Sequence, residues 1–412
     1  MAVDDRQVTA QDAAVSRFLR LCLRGRWDPQ ALEAARTLVA HDELPWNVVQ
    51  QVARQERVAP LLSQVARRCD WFPAEVKKSL RVTYYHNAAR NYPFLHELQQ
   101  VLRRFGTEDV PVVVLKGAAL ANTVYDDPSL RPMTDLDLLV HRESVQPALR
   151  ILGELGFRRV GFEVRPDADL VYESQVQLAK TGRVRFLVEI HWSLFDSPYY
   201  QQNLTMDWFW DTALTVQTGD TPMQVLGPVA QLLHLCGHAV LHHGSAGTSL
   251  LWLQDVAEVV FHYREQIDWD ELLNRAQEFR LILSVQQVLG QVAAEWGVPI
   301  PARALSRLAA LHPSPAEQQV TAWRTAKQRP VAQRFWSDLA SMDGWRRRLH
   351  YAWIQFLPSM TYMQSRYNIR HRLLVPLYYP YRWWVGLRGV LRNRFDADPP
   401  EAMPPAQNGH PQ

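Results

Sequence analysis

The chain of 412 residues is 47% hydrophobic and 21% charged, with a formal net charge of +3. These values are typical of a globular protein with two or three domains and exclude a mainly disordered chain. Its three scattered cysteines have no C-x-x-C spacing, which argues against a disulfide framework and a zinc ribbon. The N-terminus has no apolar signal segment, and no uncharged apolar run approaches the roughly 18 residues of a membrane span. We therefore expect a cytoplasmic protein.

The first part of the chain predicts helices. Apolar residues recur at intervals of three and four through residues 8–104, as in Val15, Phe18 and Leu19. After residue 104 the pattern changes to short strands that alternate with helices. In chain order we predict a strand at 110–115, a helix at 117–124, a strand at 134–140, a helix at 143–155, and a hairpin of strands at 174–180 and 183–192.

This order of elements predicts an α+β fold class, in which a small mixed sheet with helices is flanked by mostly α-helical regions. Helical periodicity returns after the sheet and continues to about residue 342. The predicted organisation is a helical N-terminal region at 1–104, a core at 105–225, a helical C-terminal domain at 226–343, a basic aromatic segment at 344–395 and a disordered tail at 396–412.

Two aspartates, Asp135 and Asp137, stand among Leu and Val in the predicted strand at 134–140. Since side chains alternate along a strand, both carboxylates point to one face, with Cα atoms about 6.6–7 Å apart. Neighbouring carboxylates repel each other unless a cation intervenes, and Mg²⁺ prefers one or two carboxylates together with water and phosphate oxygens. The pair therefore predicts a magnesium site.

A third acid, Glu189, lies in the last predicted strand of the hairpin, on the same face as Leu187 and His191. Three acids on neighbouring strands would suit one or two metal ions that assist phosphoryl transfer. The alternative is structural: Asp135 caps a strand end, Asp137 pairs with an arginine and Glu189 lies on a solvated face. The apolar neighbours of all three acids favour the metal site.

Lys116 and Gly117 follow the first predicted strand and open a helix. The N–H groups at a helix N-terminus favour a phosphate group, to which Lys116 would add a point charge and Arg131 a planar, bidentate one. The alternative is that Gly117 only allows a tight turn while Lys116 is solvated.

His234, His238 and His242 recur every four residues and would line one helix face. Such a face could share Zn²⁺, but the Glu of an H-E-x-x-H motif is missing and leucines surround the run, so we prefer a partly buried histidine face. A looser interpretation places this helix near the carboxylates, where it would help to bind an acceptor. The candidate acceptor-binding residues are His191, His238, Trp252 and Asp255.

Residues 344–395 contain ten arginines, twelve aromatic residues and no Lys, Asp or Glu, which leaves the rest of the chain with a net charge of −7. We interpret this segment first as a helical pair that packs its aromatics and solvates its arginines. A peripheral contact with the inner face of a membrane comes second, because interfacial aromatics and anionic headgroups suit this composition. Binding of single-stranded nucleic acid comes third.

Several of these segments together resemble the bacterial family of uncharacterised nucleotidyltransferases, within the superfamily of the DNA polymerase beta fold. The resemblance covers roughly residues 85–300. It rests on LKG (115–117), Tyr125, RPMTDLDLLV (131–140), VEIHW (188–192), HLCGH (234–238) and WLQD (252–255).

The resemblance implies a nucleotidyltransferase-fold core, a nucleoside triphosphate donor, and Mg²⁺ with Mn²⁺ as the alternative. It implies Asp135 and Asp137 as metal ligands and Glu189 as the third acid. The nucleotide-binding candidates are Lys116, Gly117, Ala118 and Arg131. One departure is Ala118, which stands where the superfamily usually has a serine or glycine; another is the seventeen-residue spacing between Gly117 and Asp135.

The function predicted from the sequence is metal-dependent transfer of a nucleoside monophosphate to an unidentified acceptor, which could be a small molecule, a glycan precursor, a protein or RNA. Ala118 motivates a first alternative, a degenerate core that binds nucleotide or a partner without turnover. The basic aromatic segment motivates a second, an adaptor for membranes or nucleic acid.

Overall fold

The computed structural model describes residues 5–41, 44–161, 163–165, 168–182, 184–241, 249–326 and 331–392. The chain divides into two compact units, Met1–Lys327 and Gln328–Gln412. The domain boundaries predicted from the sequence stay predictions, and the predicted tail at 396–412 lies outside the described residues.

In the described part of the first unit, seven strands form one mixed sheet, in the order β3-β4-β5-β2-β1-β7-β6. The strands are β1 (Val112–Leu115), β2 (Leu136–Val140), β3 (Arg158–Arg159), β4 (Gln175–Lys180), β5 (Phe186–His191), β6 (Leu214–Thr218) and β7 (Thr221–Val225). Strand β2 runs parallel to β5 and β1 runs parallel to β7, while the other neighbours are antiparallel. The predicted α+β class with helical flanks is confirmed.

Helices precede the sheet, connect its strands and follow it. In the first unit they are α1 (Asp5–Arg24), α2 (Pro29–His41), α3 (Trp46–Gln55), α4 (Ala59–Arg68), α5 (Ala74–Thr107), α6 (Lys116–Thr123), α7 (Val145–Glu154), α8 (Ala168–Tyr172), α9 (Pro198–Asn203), α10 (Met206–Asp211), α11 (Pro228–Leu241), α12 (Leu250–His262), α13 (Trp269–Glu278), α14 (Ile282–Trp296), α15 (Ala302–Ala310) and α16 (Pro315–Thr325).

The sheet separates two hydrophobic cores, because alternate residues of its strands point to opposite faces. Leu136 and Leu138 of β2 pack in a core with apolar residues of α5 and α7. Leu139 of β2 and Leu115 of β1 pack on the other side, in a core with residues of α1, α11, α12 and α14. Asp137 shares the face of Leu139, so the predicted carboxylates lie on the side of the second core.

The central elements agree with the sequence-based predictions to within two or three residues, and β4 and β5 form the predicted antiparallel hairpin. One difference concerns Asp135, which was expected inside a strand. The strand begins at Leu136, so Asp135 is the last residue before it. Strands β6 and β7 were not predicted. Pro222 of β7 pairs with Gln217 of β6, while the pairing of β7 with β1 is at Gln224 and Val225.

The second unit consists of helices in its described part: α17 (Val331–Ser341), α18 (Trp345–Phe356), α19 (Met360–Tyr367) and α20 (Val375–Arg392). Met363, Ile369 and Val375 form a small buried core between α19 and α20. Within the described residues of the whole chain, no helix combines the length and hydropathy needed to cross a bilayer.

Candidate active site

The site is built on three adjacent strands, and the strand register places its side chains in a row. Asp137 of β2 pairs with Glu189 of the parallel strand β5, and Glu189 pairs with Gln177 of the antiparallel strand β4. Residues paired across a sheet project to the same face, so these three polar side chains lie side by side. The opposite faces of the same strands carry Leu138, Val188 and other core residues.

One group of potential metal ligands emerges among the described residues. One ligand atom each of Asp137, Glu189 and His191 lies within 4.8 Å of the other two. Nε2 of His191 is 3.0 Å from Oδ1 of Asp137 and 3.5 Å from Oε2 of Glu189. The two carboxylates of this group are ligands that fit a divalent cation.

Lys116 supplies a positive charge to this group. Its Nζ donates a hydrogen bond to Oδ1 of Asp137 at 2.6 Å. Burial disfavours the charged ammonium, but the carboxylates of Asp137, Glu189 and Asp135 outweigh it and raise the pKa of Lys116. The same contact acts on Asp137: burial alone would raise its pKa, but Lys116 and the hydrogen bond from His191 hold that pKa well below its usual range.

His191 donates a hydrogen bond to Asp137. An ionised carboxylate only accepts hydrogen bonds, so Nε2 of His191 is the donor in this contact. Burial and the nearby Lys116 lower the pKa of His191, but its hydrogen bonds with Asp137 and Glu189 raise it overall. Both of these hydrogen bonds, from Lys116 and from His191, fall on Oδ1 of Asp137.

The backbone of Lys116 is unusual. Its φ is +45°, in the left-handed region that side chains other than glycine and asparagine rarely adopt. Backbone of this kind costs of the order of 1–3 kcal/mol at a residue with a side chain. Here it lies directly between β1 and α6, at the residue whose ammonium reaches Asp137.

Two glutamines that the sequence analysis did not single out hold Glu189. Nε2 of Gln177 donates to Oε1 and Nε2 of Gln175 donates to Oε2, each at 3.0 Å. Both oxygens of the carboxylate are therefore oriented by strand β4. The signal was present, because Gln175 and Gln177 alternate with the buried Val176 and Leu178.

Asp135, predicted as a metal ligand, lies near the group but is not among the three residues whose ligand atoms converge. Thr134 donates a hydrogen bond from Oγ1 to Oδ1 of Asp135 at 3.1 Å. Burial and the negative charges of Asp137 and Glu189 raise the pKa of Asp135. The negative charges of both acids therefore disfavour ionisation of the Asp135 carboxyl group. A cation bound among the three acids would favour its ionised form.

Arg131 was predicted to bind phosphate, but its guanidinium is engaged elsewhere. It forms a bidentate pair with Asp255, from Nη2 to Oδ2 at 2.6 Å and from Nε to Oδ1 at 3.2 Å. Tyr125 donates from its hydroxyl to Oδ1 of Asp255 at 2.7 Å. Asp255 itself is fully buried, so this group joins α12 to the segment before β2.

Gly117 is adjacent to the same guanidinium. A Cβ atom at this position would lie 2.6 Å from Nη1 of Arg131, so a side chain here would require the guanidinium to shift. The next residue, Ala118, is buried in the core between the sheet, α5 and α7. The methyl group that replaces the expected hydroxyl thus packs with apolar residues.

Of the remaining predicted residues, His238 and Trp252 contact each other through their rings, with centroids 5.7 Å apart. They connect α11 to α12 and are both half-buried. His242, the third member of the predicted histidine face, lies outside the described residues.

Arg57, which sequence reasoning missed, is a basic residue close to Asp135. Its Nη2 donates to the carbonyl oxygen of Pro132 at 3.3 Å. Burial and the charge of Arg131 lower the pKa of Arg57, while Asp135 acts in the opposite direction. No local motif marks Arg57, because the chain brings it to the site from the turn between α3 and α4.

Comparison with known proteins adds three findings. The family model described as "Uncharacterised nucleotidyltransferase" matches residues 42–297. One similar solved structure is the "antigenic nucleotidyltransferase-like protein from Paracoccidioides brasiliensis", with 16% identity, 52% of this chain and 96% of that chain covered, and a TM-score of 0.36. No curated protein matches.

Proposed function

We propose that this chain, which belongs to the uncharacterised nucleotidyltransferase family, transfers a nucleoside monophosphate from a nucleoside triphosphate to an acceptor. We also propose that it belongs to the superfamily of the DNA polymerase beta fold, which is supported by the resemblance of Gly117 and of the Asp135-Leu-Asp137 motif to that superfamily. The observation that supports the activity best is the pairing of Asp137 with Glu189 on neighbouring parallel strands, beside Lys116.

The residues proposed to hold the metal are Asp137 and Glu189, with Asp135 as the third acid. Mg²⁺ fits two carboxylates with water and phosphate oxygens, and Mn²⁺ would accept the same ligands. A bound divalent ion would neutralise phosphate charge and polarise the phosphoryl group. Gln175 and Gln177 keep Glu189 oriented for this role, as residues behind metal ligands commonly do.

We propose that the ammonium of Lys116 leaves Asp137 and binds the phosphates of the nucleoside triphosphate when the substrate is bound. In the structure its ammonium compensates the buried carboxylate, and an incoming cation would compensate it instead. The freed ammonium is then close to the N–H groups that begin α6, where a phosphate is favoured. Arg57 adds a second positive charge near Asp135.

Arg131 and Asp255 are proposed as positioning residues. The guanidinium of Arg131 lies against the backbone of Gly117 and is held by Asp255, so the pair supports the turn that carries Lys116. The acceptor is proposed to contact His191, His238 and Trp252. The chemical class of the acceptor stays open, from a small molecule or glycan precursor to a protein or RNA.

A second candidate function is nucleotide binding without turnover. Two observations favour it: the methyl group of Ala118 is buried in the core, and Lys116 already neutralises Asp137. A site of this kind would bind a nucleoside triphosphate with a metal ion but release it unchanged.

The test is transfer of label from each α-³²P nucleoside triphosphate to acceptors in a cell lysate, with Mg²⁺ or Mn²⁺. We expect labelled products with the wild-type chain and a loss of at least 100-fold for Asp137→Asn, because the substitution removes a charge that a metal ion requires. Asp270→Asn, at an exposed surface pair, is the matched control and should retain activity.

Label transfer that survives Asp137→Asn would contradict the assigned site. Metal-dependent nucleotide binding without any transfer would favour the second function over the first.

A further inference from the structure

The second unit exposes an unusual amount of apolar surface. Nineteen large apolar residues of the described chain are strongly exposed, and fourteen of them lie between Trp336 and Val385. The other five belong to the first unit, where Val82, Tyr85 and Tyr92 lie in α5 and Val160 and Leu214 lie elsewhere. Large apolar surface that is concentrated in one region marks an interaction site, whereas single exposed residues need no explanation.

The exposed residues form a stripe along α18. Trp345, Leu349, Trp353 and Phe356 follow one another at intervals of four, four and three, and each is 47% to 67% exposed. Residues with this spacing share one face of a helix. The inner face is occupied by Tyr351 and Ile354, which are buried.

A second stripe runs along α20 and the turn before it. Leu373, Leu377, Tyr381 and Trp384 repeat the intervals of four, four and three, and are 51% to 91% exposed. The two helices adjoin, because Nε1 of Trp383 donates to the carbonyl oxygen of Phe356 at 2.8 Å. The end of the first stripe is therefore next to the second helix.

The sequence of this region is positively charged. Between residues 344 and 395 the chain has ten arginines and no acidic residue. Two arginines stand over the aromatic residues of the stripes: the guanidinium of Arg346 lies 5.5 Å from the ring centroid of Trp345, and that of Arg388 lies 5.2 Å from the ring centroid of Trp384. Cations and apolar groups are thus presented together.

We infer that α18 and α20 dock the protein on an anionic membrane surface, with the stripes in the headgroup region and the arginines on lipid phosphates. Helices with one apolar face and one basic face bind lipid in this orientation. The stripes contain leucines, which insert into lipid but cannot stack on nucleic-acid bases, and this favours a membrane over RNA. The inference is independent of the nucleotidyl transfer proposed above.

The test is flotation of the full chain with vesicles of phosphatidylcholine alone or with roughly 30% phosphatidylglycerol. We expect at least tenfold stronger binding to the anionic vesicles, weakened by high salt because of screening. Replacing the three most exposed leucines of the stripes (Leu349→Ser, Leu373→Ser and Leu377→Ser) should reduce vesicle binding at least tenfold.

Two further variants separate charge from apolar insertion. Arg346→Gln, Arg366→Gln and Arg372→Gln together remove three of the ten arginines and should weaken the preference for anionic vesicles. The matched control replaces exposed apolar residues of the first unit, Val82→Ser, Val160→Ser and Leu214→Ser, and should bind like the wild type. Far-ultraviolet circular dichroism verifies that every variant remains helical.

Several outcomes would overturn the inference. One is that the chain does not float with anionic vesicles, and another is that the leucine variant floats as well as the wild type. A third is that the stripes are required for binding single-stranded RNA while no vesicle binding is detected. Self-association that is lost in the leucine variant, without vesicle binding, would assign the stripes to a second copy of the chain instead.

Discussion

The Nζ atom of Lys116 lies 2.6 Å from Oδ1 of Asp137, at the junction of β1 and α6. Both side chains are largely buried, and the backbone of Lys116 is in a left-handed conformation. The lysine therefore supplies, within the chain, the positive charge that two neighbouring acids require.

Lys116→Met should lower the free energy of unfolding by about 3 kcal/mol, because it leaves Asp137 buried without its partner. A divalent cation would compensate the same carboxylate, so millimolar Mg²⁺ should raise the melting temperature of the variant more than that of the wild type. Thermal unfolding with and without Mg²⁺ measures both effects. Lys78→Met, at an exposed position of α5, is the control; an equal response of Lys78→Met and Lys116→Met to Mg²⁺ would contradict the proposed exchange.

Gln177→Leu should weaken the binding of Mn²⁺ about 10- to 100-fold, because Glu189 loses one of the two hydrogen bonds that orient it. Calorimetric titration with Mn²⁺ measures the change. The control is Gln217→Leu, on the exposed side of β6. Unchanged Mn²⁺ affinity in the Gln177 variant would argue against Glu189 as a ligand.

Gly117→Ala should lower the free energy of unfolding by about 1–3 kcal/mol, because the added Cβ atom would lie 2.6 Å from Nη1 of Arg131. Gly153→Ala in α7 provides the contrast: nothing lies within 4 Å of its added Cβ atom, and a gain of about 0.5–1 kcal/mol is expected in a helix. Urea denaturation compares the two. Equal free energies of unfolding for the two variants would contradict the prediction, because they would show that the guanidinium of Arg131 moves aside at little cost.

The stability of the protein should depend on Asp137 in acid. Its pKa is depressed in the folded state, so its contribution is present above the unfolded pKa of about 3.9 and is lost as the pH falls through the folded pKa. The difference in unfolding free energy between the wild type and Asp137→Asn should thus be constant above about pH 5 and shrink below it. Urea denaturation from pH 7 to pH 3 measures this; a difference that stays constant throughout would contradict the depressed pKa.

Local patterns were sufficient to predict the central strands and two of the residues that converge. The alternation around Asp137 and Glu189 indicated acids on one face of buried strands, and their direct pairing follows from the parallel register of β2 and β5. That register could not be read from the sequence, because it depends on which strands become neighbours.

The ion pair of Arg131 with Asp255 could not be predicted from the sequence. Each was considered alone, as a phosphate-binding and an acceptor-binding candidate, while 124 residues of sequence separate the partners of their bidentate pair. Periodicity carries no information on such a distant contact. The same reason applies to Arg57, which reaches the site from the N-terminal helices.

The central claim is that Asp137 and Glu189 hold a metal ion in place of the ammonium of Lys116. The most direct measurement is a crystal structure with Mn²⁺ and a non-hydrolysable nucleoside triphosphate, with data collected for the anomalous signal of manganese. We predict an anomalous peak about 2.0–2.3 Å from carboxylate oxygens of both acids, with Nζ of Lys116 moved from Asp137 to the phosphates. A structure with bound nucleotide but no manganese at Asp137, and with Lys116 still hydrogen-bonded to it, would contradict the account.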